Sequence, residues 1–296
     1  MTSDLWLAVA LIGALALGLF LLSAWVVRPL PARTLNLVSL LIVTCLFYYI
    51  RTLWYDVHLA NWLPFSSLIV LGNWLPLLAA MLGGVVWQRT RDCVWRRGLS
   101  TVALGGTAGY ALLFPMLGYV PKCQDHWDRM GNCLQTTRFT CSPACAATML
   151  KAHGIDATEQ EMAELCLTRQ GTSWQGLYRG LKLKTAGTKW DVEVADCTAD
   201  ELFQYGNTRP MILSVGLDKS ESRDGEYTRE FGWIPGVNHS VILHGFTKSG
   251  CAIIADPTQE LCREQWDREM LHTLWRGYAI RLVERQQVDD LSLAQR

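Results

Sequence analysis

The stretch QTTRFTCSPACAATMLKAHG, residues 135–154, passes from a polar segment into a small-residue helical pattern, with Cys141 at the turning point. Ala144, Ala147, Met149 and Leu150 recur at helical spacing and Gly154 ends the pattern, so one buried helix is expected over residues 142–153. Pro143 is compatible with a first helical turn, where its missing N–H costs nothing. A thiol at such a helix start meets partial positive charge and free backbone donors, both of which favour the thiolate. Alone, a cysteine in this setting is by default a buried or disulfide-bonded residue. What decides between these readings lies elsewhere in the chain.

Upstream, the composition changes sharply. Seven basic residues, all arginine, and three acidic ones, Asp4, Asp56 and Asp92, precede Val120, leaving 20 and 24 of the chain's 27 and 27 beyond it. Four apolar runs, at about 6–27, 35–53, 62–87 and 99–120, approach the roughly 20 residues needed to cross a bilayer. Asn73 and Pro76 near the middle of the third run predict a kinked or re-entrant segment. The leader MTSD has no basic residue and the first run is long, which favours an uncleaved anchor over a signal peptide.

Arginines cluster in the first and third linkers, at Arg28 and Arg33 and at Arg89, Arg91, Arg96 and Arg97. Those linkers are expected on the cytoplasmic side. Four spans then put residues 121–296 on the extracytoplasmic face, in bacterial terms outside the inner membrane. Eight of the ten cysteines fall in that part, as suits an oxidising compartment. Cys123 with Cys133 and Cys251 with Cys262 are conceivable pairs, although sequence alone does not fix connectivity.

The division is therefore 1–120, a helical membrane domain in contact with the lipid bilayer, and 121–296, a domain of ordinary composition large enough for its own core. Its mildly acidic balance argues against nucleic-acid binding. Within it, helices are expected over 156–167, opened by an Asp/Thr cap, and from Thr172 or Ser173 onward. KWDVEVAD and RPMILSVGL read as strands, TADELFQYG as a short helix, and 218–237 as a polar loop. HSVILHGF, TKSG and CAIIADP read as a hairpin. Helices first and sheet later predict an α+β fold.

That hairpin supplies what a nucleophilic thiol needs, a base and a group to orient it. A turn near Lys248 and Ser249 sets His239 opposite or diagonal to Asp256, on one face, at cross-strand distances of about 5–8 Å. Gln135, six residues before Cys141, is placed to fold back as an oxyanion donor beside the Cys141 N–H.

Gln135, Cys141, the Pro143–Ala144–x–Ala146–Ala147 run, and His239 and Asp256 on a NHSVILHGF…AIIADP hairpin resemble the papain-like cysteine peptidases that remove double-glycine leaders from bacteriocin precursors. The resemblance covers residues 130–260. It implies a papain-like α+β domain after four transmembrane helices and hydrolysis of a peptide or protein substrate without a cofactor. Cys141 would be nucleophile, His239 base, Asp256 its orienter and Gln135 part of the oxyanion hole. By analogy it also suggests a separate exporter. Ser142 stands where that family usually has glycine, and the peptidase domain follows the helices instead of preceding them. Gly171 and Gly176 have phosphate-loop spacing, but Leu177 and Tyr178 follow them, so no nucleotide site is expected.

Two other classes remain open: a tethered peptide-binding module of the same fold, and a thiol redox or zinc protein using Cys133, Cys141 and Cys145. Cys145, one turn after Cys141, is expected in the core. His244 is expected to be structural and His153 a helix-end cation. Trp174 and Trp233 are candidates for a groove wall or the core.

Overall fold

The structure, a computed structural model, describes residues 3–205, 209–221, 225–258 and 263–285. It divides into two compact units, Met1–Leu117 and Gly118–Arg296.

The first unit is helical, with α1 (Ser3–Val26), α2 (Ala32–Tyr48), α3 (Leu59–Trp62), α4 (Leu68–Leu71), α5 (Leu75–Arg89) and α6 (Val94–Leu113). A π-helical turn, Tyr49–Leu53, prolongs α2. Four helical stretches, Ser3–Val26, Ala32–Leu53, Leu68–Arg89 and Val94–Met116, are long and apolar enough to cross a membrane. Large apolar side chains point outward from them, such as Leu7, Leu17, Leu37 and Leu99, as expected of helices that face lipid. The third stretch is broken between α4 and α5, where Asn73 Oδ1 accepts from the Leu75 N–H and Asn73 Nδ2 donates to the Ala111 carbonyl. Tyr49 Oη donates to the Gly72 carbonyl and accepts from the Trp74 N–H. These bonds satisfy backbone groups that a helix break would otherwise strand in an apolar medium.

The second unit has β1 (His126–Trp127), β2 (Cys133–Leu134), α7 (Cys141–Ala152), α8 (Glu159–Leu165), α9 (Trp174–Thr185), β3 (Trp190–Asp196) and α10 (Ala199–Tyr205). There follow β4 (Met211–Gly216), α11 (Glu226–Phe231), β5 (Asn238–Phe246), β6 (Ala252–Ala255), β7 (Arg263–Trp266), α12 (Arg268–Leu274) and β8 (Trp275–Glu284). The six-stranded antiparallel sheet runs β3-β8-β4-β5-β6-β7. It is an α+β domain in three layers. Helices α7 and α9 pack on one face. On the other, Leu202 of α10 and Leu271 and Leu274 of α12 join Leu213, Val241, Leu243, Ile254 and Trp266 in a closed core.

Local chemistry accounts for the helix starts. Thr158 caps α8 and Ser173 caps α9 by accepting N–H groups of the first turn. Helix α7 is buried from Ser142 to Leu150, which is why its sequence is almost entirely small and apolar. The expected polar loop 218–237 contains α11, a helix too short to show a periodic pattern. Beyond it, β7, α12 and β8 extend the domain past the hairpin, and β8 lies between β3 and β4 as a central strand.

The segment that leads to Cys141 is anchored on α8. Glu159, fully buried, accepts from the Thr136 N–H at 2.8 Å and the Thr136 hydroxyl at 2.7 Å, and its own N–H donates to Asp125 Oδ1. Hydrogen bonds to a charged group are worth about 1.5–3 kcal/mol. Glu159→Ala is therefore expected to lower the stability of the domain by about 2 kcal/mol, measured by pulse proteolysis of the full-length protein in detergent, with Glu159→Gln closer to wild type.

Candidate active site

Helix α7 begins at Cys141, so the Cys141 N–H lies in the first turn, outside the intrahelical ladder. The preceding turn is held by Thr140, whose hydroxyl donates to the Thr137 carbonyl at 3.0 Å. Helix α7 packs across β5 and β4, which brings Cys141 to the end of β5 where His239 stands.

In the β5–β6 pairing Ile242 faces Ala255, and a bulge lies between Leu243 and Gly245. Extending that register past β6 sets Asp256 opposite Val241, diagonal to His239 and on the same face of the pleat. His239 Nε2 donates to Asp256 Oδ1 at 3.0 Å. This leaves Nδ1 as the ring nitrogen for Cys141, and the thiol and the ring shift each other's titration. Asp256 Oδ1 also accepts from the Thr258 N–H at 2.8 Å and from the Thr258 hydroxyl. This is an Asx-type turn closed by the Asp–Pro–Thr sequence.

The three groups shift one another's titration. Burial alone would raise the Cys141 thiol, but the hydrogen bond and charge of His239, the Ser240 N–H and the Ser142 hydroxyl together hold it below the ordinary thiol value of 9.0. Burial alone would lower His239, but Asp256 and Cys141 push it up to about 10. Burial would raise Asp256, and its bonds from His239 and Thr258 bring it below the usual carboxylate value. Each shift favours the charged form of its group, thiolate for Cys141 and imidazolium for His239.

Gln135 sits beside this group. Its N–H donates to the Pro257 carbonyl at 2.8 Å, which ties it to the residue after Asp256. Its Nε2 donates to the Thr137 carbonyl at 3.1 Å, and its Oε1 is buried without a partner. A side-chain amide has two N–H donors, so one remains for a second acceptor.

Gln135, Cys141, His239 and Asp256 all line one cleft of about 420 Å³. Its walls include Arg138 and Thr258, and Phe231, Trp233, Ile234 and Val237 of the loop that carries α11. The Trp233 ring meets the His239 ring edge to face, with centroids 5.9 Å apart, and rests on Trp266. Gly232, at φ +73°, turns the chain out of α11 in a left-handed conformation that favours glycine. At the other end of the loop Val237 comes so close to Gly216 that a Cβ there would lie 2.6 Å from its carbonyl oxygen.

Some expectations change and others hold. Cys123 and Cys133 are both free thiols, and burial, with nearby Glu159, holds both thiols well above their ordinary range. Cys262 lies outside the described residues. His153 is not a helix-end cation: burial lowers its pKa, and its Nδ1–H donates to the Met149 carbonyl. Trp174 is buried in α9 and Trp233 is a cleft wall. Cys145 is buried, donating to the Ser240 carbonyl at 3.3 Å, and His244 pairs with Asn132. Among the described residues no group of three or more His, Cys, Asp or Glu side chains is arranged to hold a metal ion. Thr258, Ser240 and the loop residues Phe231, Ile234 and Val237 were not expected in the site, whereas Trp233 of that loop was a candidate groove wall; of the unexpected ones Thr258 alone carried a signal, the Asp-Pro-Thr turn.

A thiol, an imidazole and a carboxylate that line one cleft on an α+β scaffold are compatible with a cysteine peptidase fold. Residues 125–279 match the profile of the Peptidase_C39 like family, more than half of the 296 residues, and the chain belongs to that family. An uncharacterized protein of Methanothermobacter thermautotrophicus is 29% identical over 92 residues, covering 29% of this chain and 63% of that protein. The chain thus spans less than two thirds of that relative's length. The peptidase domain of Streptococcus ComA, a bi-functional ABC transporter involved in a quorum sensing pathway, is 23% identical over 51% of this chain and 96% of its own, with a TM-score of 0.40. A double glycine motif protease from an AMS/PCAT transporter, in complex with the leader peptide, is 16% identical over 56% of this chain and 94% of its own, with a TM-score of 0.39. The family assignment rests on the sequence match.

A pH series of thiol alkylation tests the pairing. The Cys141 rate is expected to rise with pH through a midpoint below 9.0. In His239→Ala only burial and weaker donors remain, so the midpoint moves up and the rate at pH 7 falls at least about tenfold, one pKa unit being a factor of ten in thiolate.

Proposed function

We propose that this protein is a membrane-anchored cysteine peptidase that cleaves a peptide or protein with Cys141, His239 and Asp256, without a cofactor. The observation that carries this is the 3.0 Å bond from His239 to Asp256 in a cleft that Cys141, at the start of α7, also lines. In this reading the Cys141 sulfur attacks the scissile carbonyl carbon, and the carbonyl π pair moves to oxygen. That oxyanion is received by the Cys141 N–H and the free N–H of the Gln135 amide. Collapse breaks the C–N bond, and the leaving nitrogen takes the proton of the His239 imidazolium. Neutral His239 then removes a proton from water, whose oxygen attacks the thioester; the acid leaves and Cys141 is released as thiolate beside imidazolium. Asp256 holds the ring throughout and stabilises its charge.

The double-glycine protease and leader peptide of the similar structure make a Gly-Gly leader peptide the first substrate to try. The arginine-rich first and third linkers support a peptidase domain on the extracytoplasmic side of the membrane, and a separate exporter is then a candidate partner. The free state of Cys141 favours this reading over an inert binding module, which would leave the thiol locked in a disulfide.

Full-length protein in detergent is incubated with synthetic Gly-Gly leader peptides and a peptide mixture, and new termini are identified by mass spectrometry. Cleavage lost in Cys141→Ala supports the reading. Peptides that bind but stay intact, with Cys141 unreactive, would favour the binding module. Among active preparations, Gln135→Ala is expected to lower kcat by on the order of 10²-fold with KM little changed, as for loss of one oxyanion donor. Asp256→Asn is expected to lower kcat by on the order of 10²–10⁴-fold, the range of a general acid–base contribution. Because imidazolium must deliver the proton, wild-type turnover is expected to decline as pH rises through about 10, where His239 deprotonates.

A further inference from the structure

The side of the sheet that faces α7 carries hydroxyls where apolar side chains would pack as well. Ser240 of β5 and Ser214 of β4 stand directly opposite each other. Burial raises the Tyr278 phenol of β8, and the neighbouring Ser214 side chain lowers it. Ser142 of α7 closes the strip, its Oγ 2.8 Å from Ser240 Oγ. Ser142 is 5% exposed and Ser214 6%, so these groups are out of water and depend on one another for hydrogen bonds.

The strip ends at the nucleophile. Ser142 Oγ lies 4.0 Å from Cys141 Sγ, within reach of a sulfur hydrogen bond. Each serine hydroxyl has one proton and two lone pairs. If Ser240 donates to Ser142, the Ser142 proton is left for the sulfur; the reverse order would leave that proton in the hydroxyl pair and nothing for Cys141. The main chain of Ser240 fixes the same spot, since its N–H bonds Cys141 and its carbonyl accepts from the Cys145 thiol at 3.3 Å. A serine that served only as packing would need none of this alignment.

We propose that Ser142 donates its hydroxyl proton to the Cys141 sulfur as a catalytic thiolate donor, and that Ser240 is the positioning residue that aims it. His239 and Ser240, neighbours on β5, then support the same sulfur from opposite faces of the sheet. This rests on the peptidase reading above, and concerns the thiolate state only; no bond is made or broken in the support itself.

The test uses full-length protein in detergent and iodoacetamide as the probe, with the modified cysteine identified by mass spectrometry from pH 5 to pH 10. Ser142→Ala is expected to raise the Cys141 midpoint by about 0.5 to 1 unit, so that alkylation at pH 7 falls about three- to tenfold while the plateau at high pH is unchanged. Ser240→Ala is expected to shift it in the same direction by less. The double variant is expected to shift no further than Ser142→Ala, because both act through one donor. An unchanged midpoint in folded Ser142→Ala, or additive shifts in the double variant, overturns the proposal. If Ser142→Ala does not fold, Ser240→Ala decides: a raised midpoint supports the relay and an unchanged one removes it. His239→Ala separates the two readings. If it leaves Cys141 reactivity untouched, the Cys–His pair itself fails; if it slows labelling while the serine variants do not, only the hydroxyl relay fails.

Discussion

Strand β5 is the constraint on which the site depends. The alternation of side chains along a strand is fixed by the pleat, so His239 and Ser240 must leave the sheet on opposite sides. The His239 side meets Asp256, Trp233 and the α10–α12 core, while the Ser240 side meets α7. One dipeptide thereby connects both layers of the domain to one sulfur atom. A slip of one residue in the β4–β5 register would exchange the two sides and separate base from thiol. Six successive antiparallel pairs from Met211↔Leu243 to Gly216↔Asn238 oppose that slip.

The turn after β6 adds a second coupling. Pro257 has no N–H to give, but its carbonyl accepts from Gln135, and Thr258 gives both its donors to Asp256. Asp256 and Gln135 are thus fixed to one short segment. Glu159 holds the neighbouring Thr136 from below. The strand preceding the turn is mostly buried, so the geometry of the site comes from regular structure together with the short segments 135–140 and 256–258 and the α11 loop.

Much of this was legible in the sequence because the determinants are local. The small-residue run fixed α7 to within a residue at its start, and the alternation in HSVILHGF and CAIIADP marked β5 and β6. Thr158 and Ser173 marked helix starts. What escaped is non-local or short. Strand β8 has no turn signature tying it to its neighbours β3 and β4, which are far away in sequence, and its central place is visible only once they assemble. Helix α11 spans less than two turns. The bulge between Leu243 and Gly245 shifts the hairpin register by one, which no composition rule foretells; without that shift Asp256 would pair with Ile242 and leave the sheet on the side opposite His239, so their diagonal placement depends on it. The charge of His153 was misread because its burial against Trp190 is a tertiary fact.

The triad carries charge in a place that disfavours it. Burial raises the thiol and the carboxylic acid and lowers the imidazole, each toward neutrality, and their mutual interactions, helped by Ser240 and Ser142 at the thiol and by Thr258 at the carboxylate, reverse all three directions. Such an arrangement is cooperative by construction: removing one member leaves the other two as incompletely paired buried groups, which costs more than the lost contact. Trp233, set across His239, keeps the ring from water and so strengthens these interactions. The same cover makes every remaining donor near the sulfur count for more. In water a serine hydroxyl beside a thiolate would merely replace a solvent molecule; Ser142, on α7, is instead buried and held by Ser240.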